Sequence, residues 1–366
     1  MTQEVGRGAT NETVDLPVGA DFRRLEYRRE VFHRFYEFHL ENRSHPGCVY
    51  YAIPWLINHF DLDEEQRLWL AFLNGNTQNI VTTWTIFTRF PTLVEGATAA
   101  TWFNENYANL AWDTDRRYHK KDFLASVKCY ADLTGGNQAG FFRSLYGNHE
   151  EDTFRKVWNA VRSTFYTFGR LSTFSYLEYL RIVELPILCN DLFLTDMSGS
   201  KSHRNGLAKV LGRDDLDWHS STEFTGDYTK EQLSWLTTEA EQLLDEAQFR
   251  TALNPAVDER HVNYFTLESA LCTYKSWHRP RRRYSNCYND MFYNRIKKAE
   301  AAWGALPLFW EMREDCVAPN LRLESNPHDP GLVPEKQDHY RLTGQPIMMS
   351  RRWPEFDNPF DQRCWA

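Results

Sequence analysis

The sequence predicts a mainly α, multi-helical globular body that ends in an irregular, proline-rich C-terminal tail. Three features carry this expectation. Apolar residues recur at intervals of three and four in several windows, capping-box pairs stand in front of some of those windows, and no stretch sustains the period-two alternation of a half-buried strand. There is ample apolar bulk for a packed core, since aromatics make up 15% of the 366 residues and 13 of them are Trp.

Residues 1–20 are polar and aperiodic and read as a flexible leader. From Phe22 to Glu41 the positions Phe22, Leu25, Val31, Phe35, Phe38 and Leu40 follow a helical spacing, after which Pro46 and Gly47 punctuate the chain. Asp63 and Gln66 form a capping box ahead of Leu68, Trp69, Phe72 and Leu73, with Gly75 read as the stop. A helix starting near Asp152 carries Phe154, Val157, Trp158, Val161, Phe165 and Phe168 on one stripe and is expected to end at Gly169. Thr229 and Gln232 form another capping box before Leu233, Leu236, Ala240, Leu243 and Ala247, whose opposite face is acidic and solvated. Further helices are expected around residues 47–60, 77–90, 117–133, 170–183, 203–211, 261–277, 287–304 and 306–315. Beyond Cys316 prolines accumulate and periodicity fades, so residues 317–366 read as an irregular tail wrapping the body, with Trp353, Phe356, Phe360 and Trp365 available to pack on it. The helical body then spans residues 21–316, and a subdivision is allowed near 195–228.

The seven cysteines, Cys48, Cys129, Cys189, Cys272, Cys287, Cys316 and Cys364, include no C-x-x-C pair and no Cys/His ligand spacing, so they read as reduced thiols rather than a zinc site or a disulfide framework. With no secretion signature and no apolar run near the roughly 18 residues that span a bilayer, a cytoplasmic location is expected. The formal charge of −8 excludes a protein that coats nucleic acid indiscriminately. Positive charge is nonetheless concentrated between Lys275 and Lys298, where eight Lys and Arg face one acid, Asp290, and a phosphate-bearing partner would dock there.

Four segments carry candidate chemistry. Ser198-Gly199-Ser200-Lys201-Ser202-His203-Arg204-Asn205-Gly206 precedes an apolar helical stretch. Small residues there let backbone N–H groups converge on an anion at a helix N-terminus, while Lys201, His203 and Arg204 add charge. The spacing is not that of Walker A, so ATP hydrolysis is not indicated, and a serine-capped helix start with surface cations reads the same residues equally well. In Thr266 to Lys275, Cys272 and Lys275 fall within roughly 40° of Glu268 around a helix, which puts a base, a thiol and a cation on one face; a surface Glu–Lys pair beside a core cysteine is the plainer reading. The run from His278 to Tyr284, with Arg279, Arg281, Arg282 and Arg283 and then Tyr288, can fork onto phosphates and stack on bases, or simply form a solvated basic loop. The amide-rich stretches Asn74 to Asn79 and Asn104 to Asn106 offer groups that pair with base edges, and turns and caps use the same residues.

Taken together, Phe35-Tyr36-Glu37-Phe38-His39, Asp63-Glu64-Glu65 with Ala71-Phe72-Leu73 and Gly75-Asn76-Thr77, Phe168-Gly169-Arg170, Ser198 to Gly206, and Glu268 through Cys272 and Lys275 to Arg283-Tyr284 resemble one family. It is the second clade of α-glutamyl/putrescinyl thymine pyrophosphorylases, or amino acid:DNA transferases, of phage thymidine hypermodification. The likeness runs in order from about Phe22 to Trp310, with Ser198 to Gly206 as its most specific part, and leaves out the leader and tail. It implies that a uracil of DNA bearing a 5-hydroxymethyl group is first phosphorylated or pyrophosphorylated by a separate kinase. This protein then replaces that leaving group with the amine of an amino acid, such as glycine, serine or glutamate, or of putrescine. A DNA-glycosylase-like arrangement of the helices is one form the body can take, and the setting is the cytoplasm of an infected bacterial cell.

On this reading Arg170, Ser198, Ser200, Lys201, Ser202, Arg204, Asn205, Arg279 and Arg283 hold phosphate or DNA, with Lys275 beside them stabilising charge on the departing oxygen. Asp115, Asp196, His203 and Glu268 are the candidate bases for the amine proton. Cys272 offers a covalent route, in which a thiolate adds at C6 of the pyrimidine and helps eject the group on the methylene; direct displacement is the simpler alternative. Asn74 and Asn76 are candidate edge readers, and Trp84, Tyr284 and Tyr288 candidate stacking partners, for a base that is flipped out or single-stranded. No resident cofactor or protein metal site is expected, although a divalent metal such as Mg is compatible with the pyrophosphate. Two rivals stand beside the transferase: a nucleic-acid-binding module without catalysis, and a glycosylase-like base-processing enzyme.

Overall fold

A computed structural model describes residues 24–43, 49–112, 120–192, 194, 201–217, 227–275, 290–319 and 322. The leader, nearly all of the tail, and the candidates Asp115, Asp196, Ser198, Ser200, Arg279, Arg283, Tyr284 and Tyr288 lie outside the described residues. Among those described there are helices and turns but no strand, as the periodicity predicts. In chain order the helices are α1 (Leu25–Glu41), α2 (Val49–Phe60), α3 (Glu64–Thr77), α4 (Ile80–Arg89), α5 (Leu93–Ala97), α6 (Ala100–Asn106), α7 (Phe123–Thr134) and α8 (Gln138–Arg143). They continue with α9 (Glu150–Thr164), α10 (Arg170–Ile182), α11 (Ser202–Val210), α12 (Lys230–Thr251), α13 (Tyr264–Tyr274), α14 (Met291–Trp303) and α15 (Pro307–Cys316).

The capping signals behave as their chemistry requires. Asp63 and Thr229 each close a capping box with Gln66 and Gln232, fixing the starts of α3 and α12. Gly75, expected from the sequence to stop α3, does not; the helix runs on to Thr77 and is capped by Gln78 in the left-handed region. The glycine instead lets the Tyr176 ring of α10 lie against the α3 backbone, where a β-carbon would press on the ring edge. The stripe expected to run to Gly169 also divides. The helix α9 ends at Thr164, where Ser163 and Thr164 bond back to carbonyls of the preceding turn, and Thr167 adopts a φ of 70°. Phe165 and Phe168 remain in the core beyond that break, grouped with Phe72, Tyr130 and Tyr176, and this aromatic cluster anchors the chain just before Arg170.

Three helices meet at the site, and each is fixed from behind. In α13, Tyr36 of α1 shares a 2.5 Å hydrogen bond with Thr266, and Tyr274 donates to the Arg28 carbonyl at 3.1 Å. Arg28 in turn reaches the far end of α11, donating to the Lys209 carbonyl and to Asp214, while Lys209 pairs with Asp214 and Asp217. Burial would raise the Asp214 carboxyl, but the Arg28 and Lys209 hydrogen bonds win and hold it at about 2. The closest approach is between α11 and α13 at Gly206, where any β-carbon would overlap the Leu271 carbonyl. A helix pair this tight sets the depth at which the polar side chains of both helices face each other.

A candidate active site

Arg170 opens α10, where the Gly169 N–H donates to Ser172 Oγ at 3.0 Å and the guanidinium is carried straight into the protein. It is 1% exposed, and its Nη1 donates to Glu268 Oε1 at 3.0 Å while Nη2 reaches the Leu192 carbonyl at 3.1 Å and His203 Nε2 at 3.2 Å. The ring of Phe174, one turn along, lies under the guanidinium at 5.2 Å. Because a guanidinium can only donate, His203 Nε2 must accept, which places the imidazole proton on Nδ1, 3.4 Å from Glu268 Oε1. That Nδ1 has no hydrogen-bond partner of good geometry, so the triangle of Arg170, His203 and Glu268 is closed on two sides and loose on the third.

The surrounding charge is mostly positive. His203 and Arg204 are completely buried, Glu268 and Lys275 nearly so. Burial first, then the charges of Arg170, Arg204 and Lys275, hold the His203 imidazole well below its ordinary 6.5 although the Leu192 carbonyl pulls the other way. It is therefore neutral at physiological pH. Among the described residues, Arg170, Arg204 and Lys275 all act on the His203 imidazole, with the Glu268 carboxylate beside it. These groups converge beside the N-terminus of α11, whose N-cap is Lys201 and whose start carries no side-chain cap. The serine-capped reading of this segment is not what forms; the helix end adds its partial positive charge to the same place.

Cys272 completes the face predicted on α13, next to Ser202, which hydrogen-bonds it, and within the fields of Glu268, Lys275 and Arg170. Burial, reinforced by the Glu268 charge, pushes its thiol up to about 12 against the opposing pull of Lys275, Arg170 and the Ser202 bond. The thiol is protonated at neutral pH in this environment.

The structure therefore brings Arg170, His203 and Glu268 together from α10, α11 and α13, with Cys272 against Ser202 and with Arg204 and Lys275 acting on His203, while Lys201 and Asn205 sit at the N-cap and in the second turn of the same α11. Asn74 and Asn76 are placed otherwise: both are sealed in α3, where Asn74 accepts from Thr83 and Asn76 donates to the Phe72 carbonyl. Trp84 lies on α4 among Phe60 and Phe87, beside an apolar groove that Trp303 and Leu306 also line. Sequence reasoning missed the Leu192 carbonyl and the Phe174 ring; Phe174 is signalled only by its position one turn after Arg170. Among the described residues no group of three or more His, Cys, Asp and Glu side chains is placed to hold a metal ion, and no helix is long and apolar enough to cross a membrane.

Comparison with known proteins gives two matches. The family model described as amino acid:DNA transferase matches residues 49–284, which include α2 to α13 and every residue of the cluster. A serinyltransferase of Salmonella phage ViI is 29% identical over 355 residues, covering 91% of this chain and 84% of that protein. No solved structure matches the chain.

Proposed function

Because the chain belongs to the amino acid:DNA transferase family, it is a transferase joining amino acids to DNA, and we propose that it does so by displacing a phosphate-type leaving group from the 5-methylene carbon of a modified uracil. The substrate on this reading is 5-phosphoryloxymethyl- or 5-pyrophosphoryloxymethyluracil in DNA, made by a separate kinase. The amine nitrogen of the amino acid forms a bond to the methylene carbon as the carbon–oxygen bond breaks. The oxygen leaves with its electron pair on the phosphate or pyrophosphate, and the nitrogen gives up one proton.

The observation that carries this reading is the buried Arg170–Glu268 pair with His203 at the uncapped start of α11, where Arg204 and Lys275 also act on the imidazole. Cations held out of water act strongly on a negative charge that develops beside them. A departing phosphate gains negative charge on its bridging oxygen as the bond breaks, so fixed cations stabilise the transition state more than the ground state. The same field lowers the pKa of an incoming ammonium group and so favours the neutral amine that attacks. Glu268 is the acceptor of the cluster that can take the released proton; His203, the other base candidate here, has Nε2 occupied by Arg170 and its own proton on Nδ1, so it positions rather than accepts.

Direct displacement is favoured over the thiolate route, because a Cys272 thiol held at about 12 supplies almost no thiolate at neutral pH. Serine is the first amine to test, because the phage ViI relative bears the name serinyltransferase. The protein is incubated with DNA carrying 5-pyrophosphoryloxymethyluracil, or its monophosphate, and a mixture of serine, glycine, glutamate and putrescine, and the nucleosides are then analysed by mass. The proposal expects a 5-aminomethyl-type adduct with one of these amines. Unchanged DNA would support the binding module, and abasic sites the glycosylase-like enzyme.

A further inference from the structure

Asn205 lies in the second turn of α11, 1% exposed, and among the described residues neither its amide oxygen nor its amide nitrogen has a hydrogen-bond partner. Other buried asparagines have partners: Asn74 accepts from Thr83, and Asn79 caps α4; Asn190 is unmet at its amide oxygen alone. A buried amide with both ends unmet is a standing cost unless a ligand meets them. Helical side chains lean toward the helix N-terminus, and residues three and four apart share a face. Asn205 therefore leans toward Lys201 and Ser202, and Ser202 in turn hydrogen-bonds Cys272, which lies in the fields of Glu268, Lys275 and Arg170.

The two unmet atoms restrict what that ligand is. A phosphate offers only acceptors and would leave the amide oxygen unpaired. An ammonium offers only donors and would enter the field of Arg170, Arg204 and Lys275. A uracil-type imide edge is neutral and presents a donor, N3–H, directly beside an acceptor, O4. We infer that Asn205 reads this edge, its amide N–H donating to O4 and its amide oxygen accepting from N3–H. The inference rests on the transferase reading and fits it geometrically, because C4 is bonded to C5. A base held by O4 and N3–H carries its 5-methylene substituent on the side of the amide, next to the start of α11 and the cations that receive the leaving group.

The test uses the full chain and two single-stranded oligonucleotides, each with one 5-pyrophosphoryloxymethyluracil, one of them methylated at N3. Adduct formation with the amine found active is measured as kcat/KM, and thermal unfolding is followed for each variant. Wild type is expected to prefer the unmethylated base by roughly 10- to 100-fold. Asn205→Leu, similar in shape but unable to hydrogen-bond, should lose activity on the unmethylated base by a similar factor. It should no longer distinguish the two bases, and its melting temperature should be equal to or above that of wild type because an unsatisfied amide has gone. Asn205→Asp, which keeps the acceptor and loses the donor, should fold and show an intermediate or greater loss. A wild type that ignores N3 methylation, an Asn205→Leu protein with wild-type activity, or one that is strongly destabilised would each overturn the inference, the last by assigning the amide a structural role. Absence of any adduct from wild type would instead overturn the transferase reading, and this inference with it.

Discussion

Arg170 stands at the centre of the site because it does three jobs with one planar group: it holds Glu268, orients His203 by occupying Nε2, and contributes positive charge. Lysine could not form that fork, so Arg170→Lys is not conservative here. Truncation to Met leaves Glu268 buried without its partner, a loss of about 3–5 kcal/mol when such pairs are broken from one side. Adding Glu268→Gln should restore much of the stability without restoring turnover, which is expected to fall by about 10²-fold or more for either variant. Denaturant unfolding and kcat measured side by side separate these effects; recovery of both together would show that Arg170 acts only as a strut. Cys272→Ser supplies the complementary case. With its thiol near 12, the residue is expected to be replaceable with activity kept within a factor of a few, and a drop approaching 10³-fold would reinstate covalent catalysis.

At the scale of elements, the site depends on how closely α11 and α13 approach, and Gly206 sets that distance. Gly206→Ala should cost about 1–3 kcal/mol by overpacking and should also reduce activity, because the helices cannot separate without moving His203 away from Glu268. Chemical denaturation measures the first effect, and a variant as stable as wild type would show that the contact is not needed. Helix existence was largely legible in the sequence, because the signals are local: the capping boxes at Asp63 and Thr229 and the stripe from Phe154 to Val161 each predict their helix. Boundaries were less legible. Gly75 carries the residue type of a stop, yet its role is set by a tyrosine a hundred positions on, and the break after Thr164 comes from hydroxyls competing for backbone carbonyls. The short helices α5, α6 and α8 were not foreseen. Local caps are present, the Thr92–Glu95 box before α5 and Asn137 before α8, but the helices are too short for a periodic stripe, and α8 is also held by Glu65 of α3 accepting from the N–H groups of Gln138 and Ala139. The residue types of the site could be read from Arg170, His203, Glu268 and Cys272, but their convergence could not, since it is fixed by tertiary packing. The Leu192 carbonyl, being backbone, leaves no mark in a sequence at all.

For the whole molecule, the buried ionisable groups predict how stability follows pH. His203 is held well below 6.5, and burial first, aided by Arg260 and Arg181 against Asp258, brings His261 to about 4. An unfolded chain binds protons at these histidines before the folded one does, so their contribution is complete above about 6.5 and is lost as pH falls toward 4. Glu246, held at about 2 by His33 and Arg29 against the effect of burial, and Asp214, also about 2, behave as depressed carboxylates. Their contribution is present above about 4.5 and declines as pH falls toward 2. Melting temperature should therefore drop in two stages below pH 6.5, and His261→Gln should flatten the upper one; a flat profile down to pH 4 would contradict the assignment. The net charge of −8 sets the positive cluster, and the basic stretch from Lys275 to Lys298, against an acidic protein, which confines any anionic partner to these places.

The central claim is that the cluster of Arg170, Arg204 and Lys275 grips the leaving group. Calorimetric titration of wild type and Lys275→Met with inorganic pyrophosphate tests it most directly. The account predicts saturable binding by wild type that weakens with added salt and falls by about tenfold or more in the folded variant. Equal affinity in the two proteins, or no binding by wild type, would contradict it.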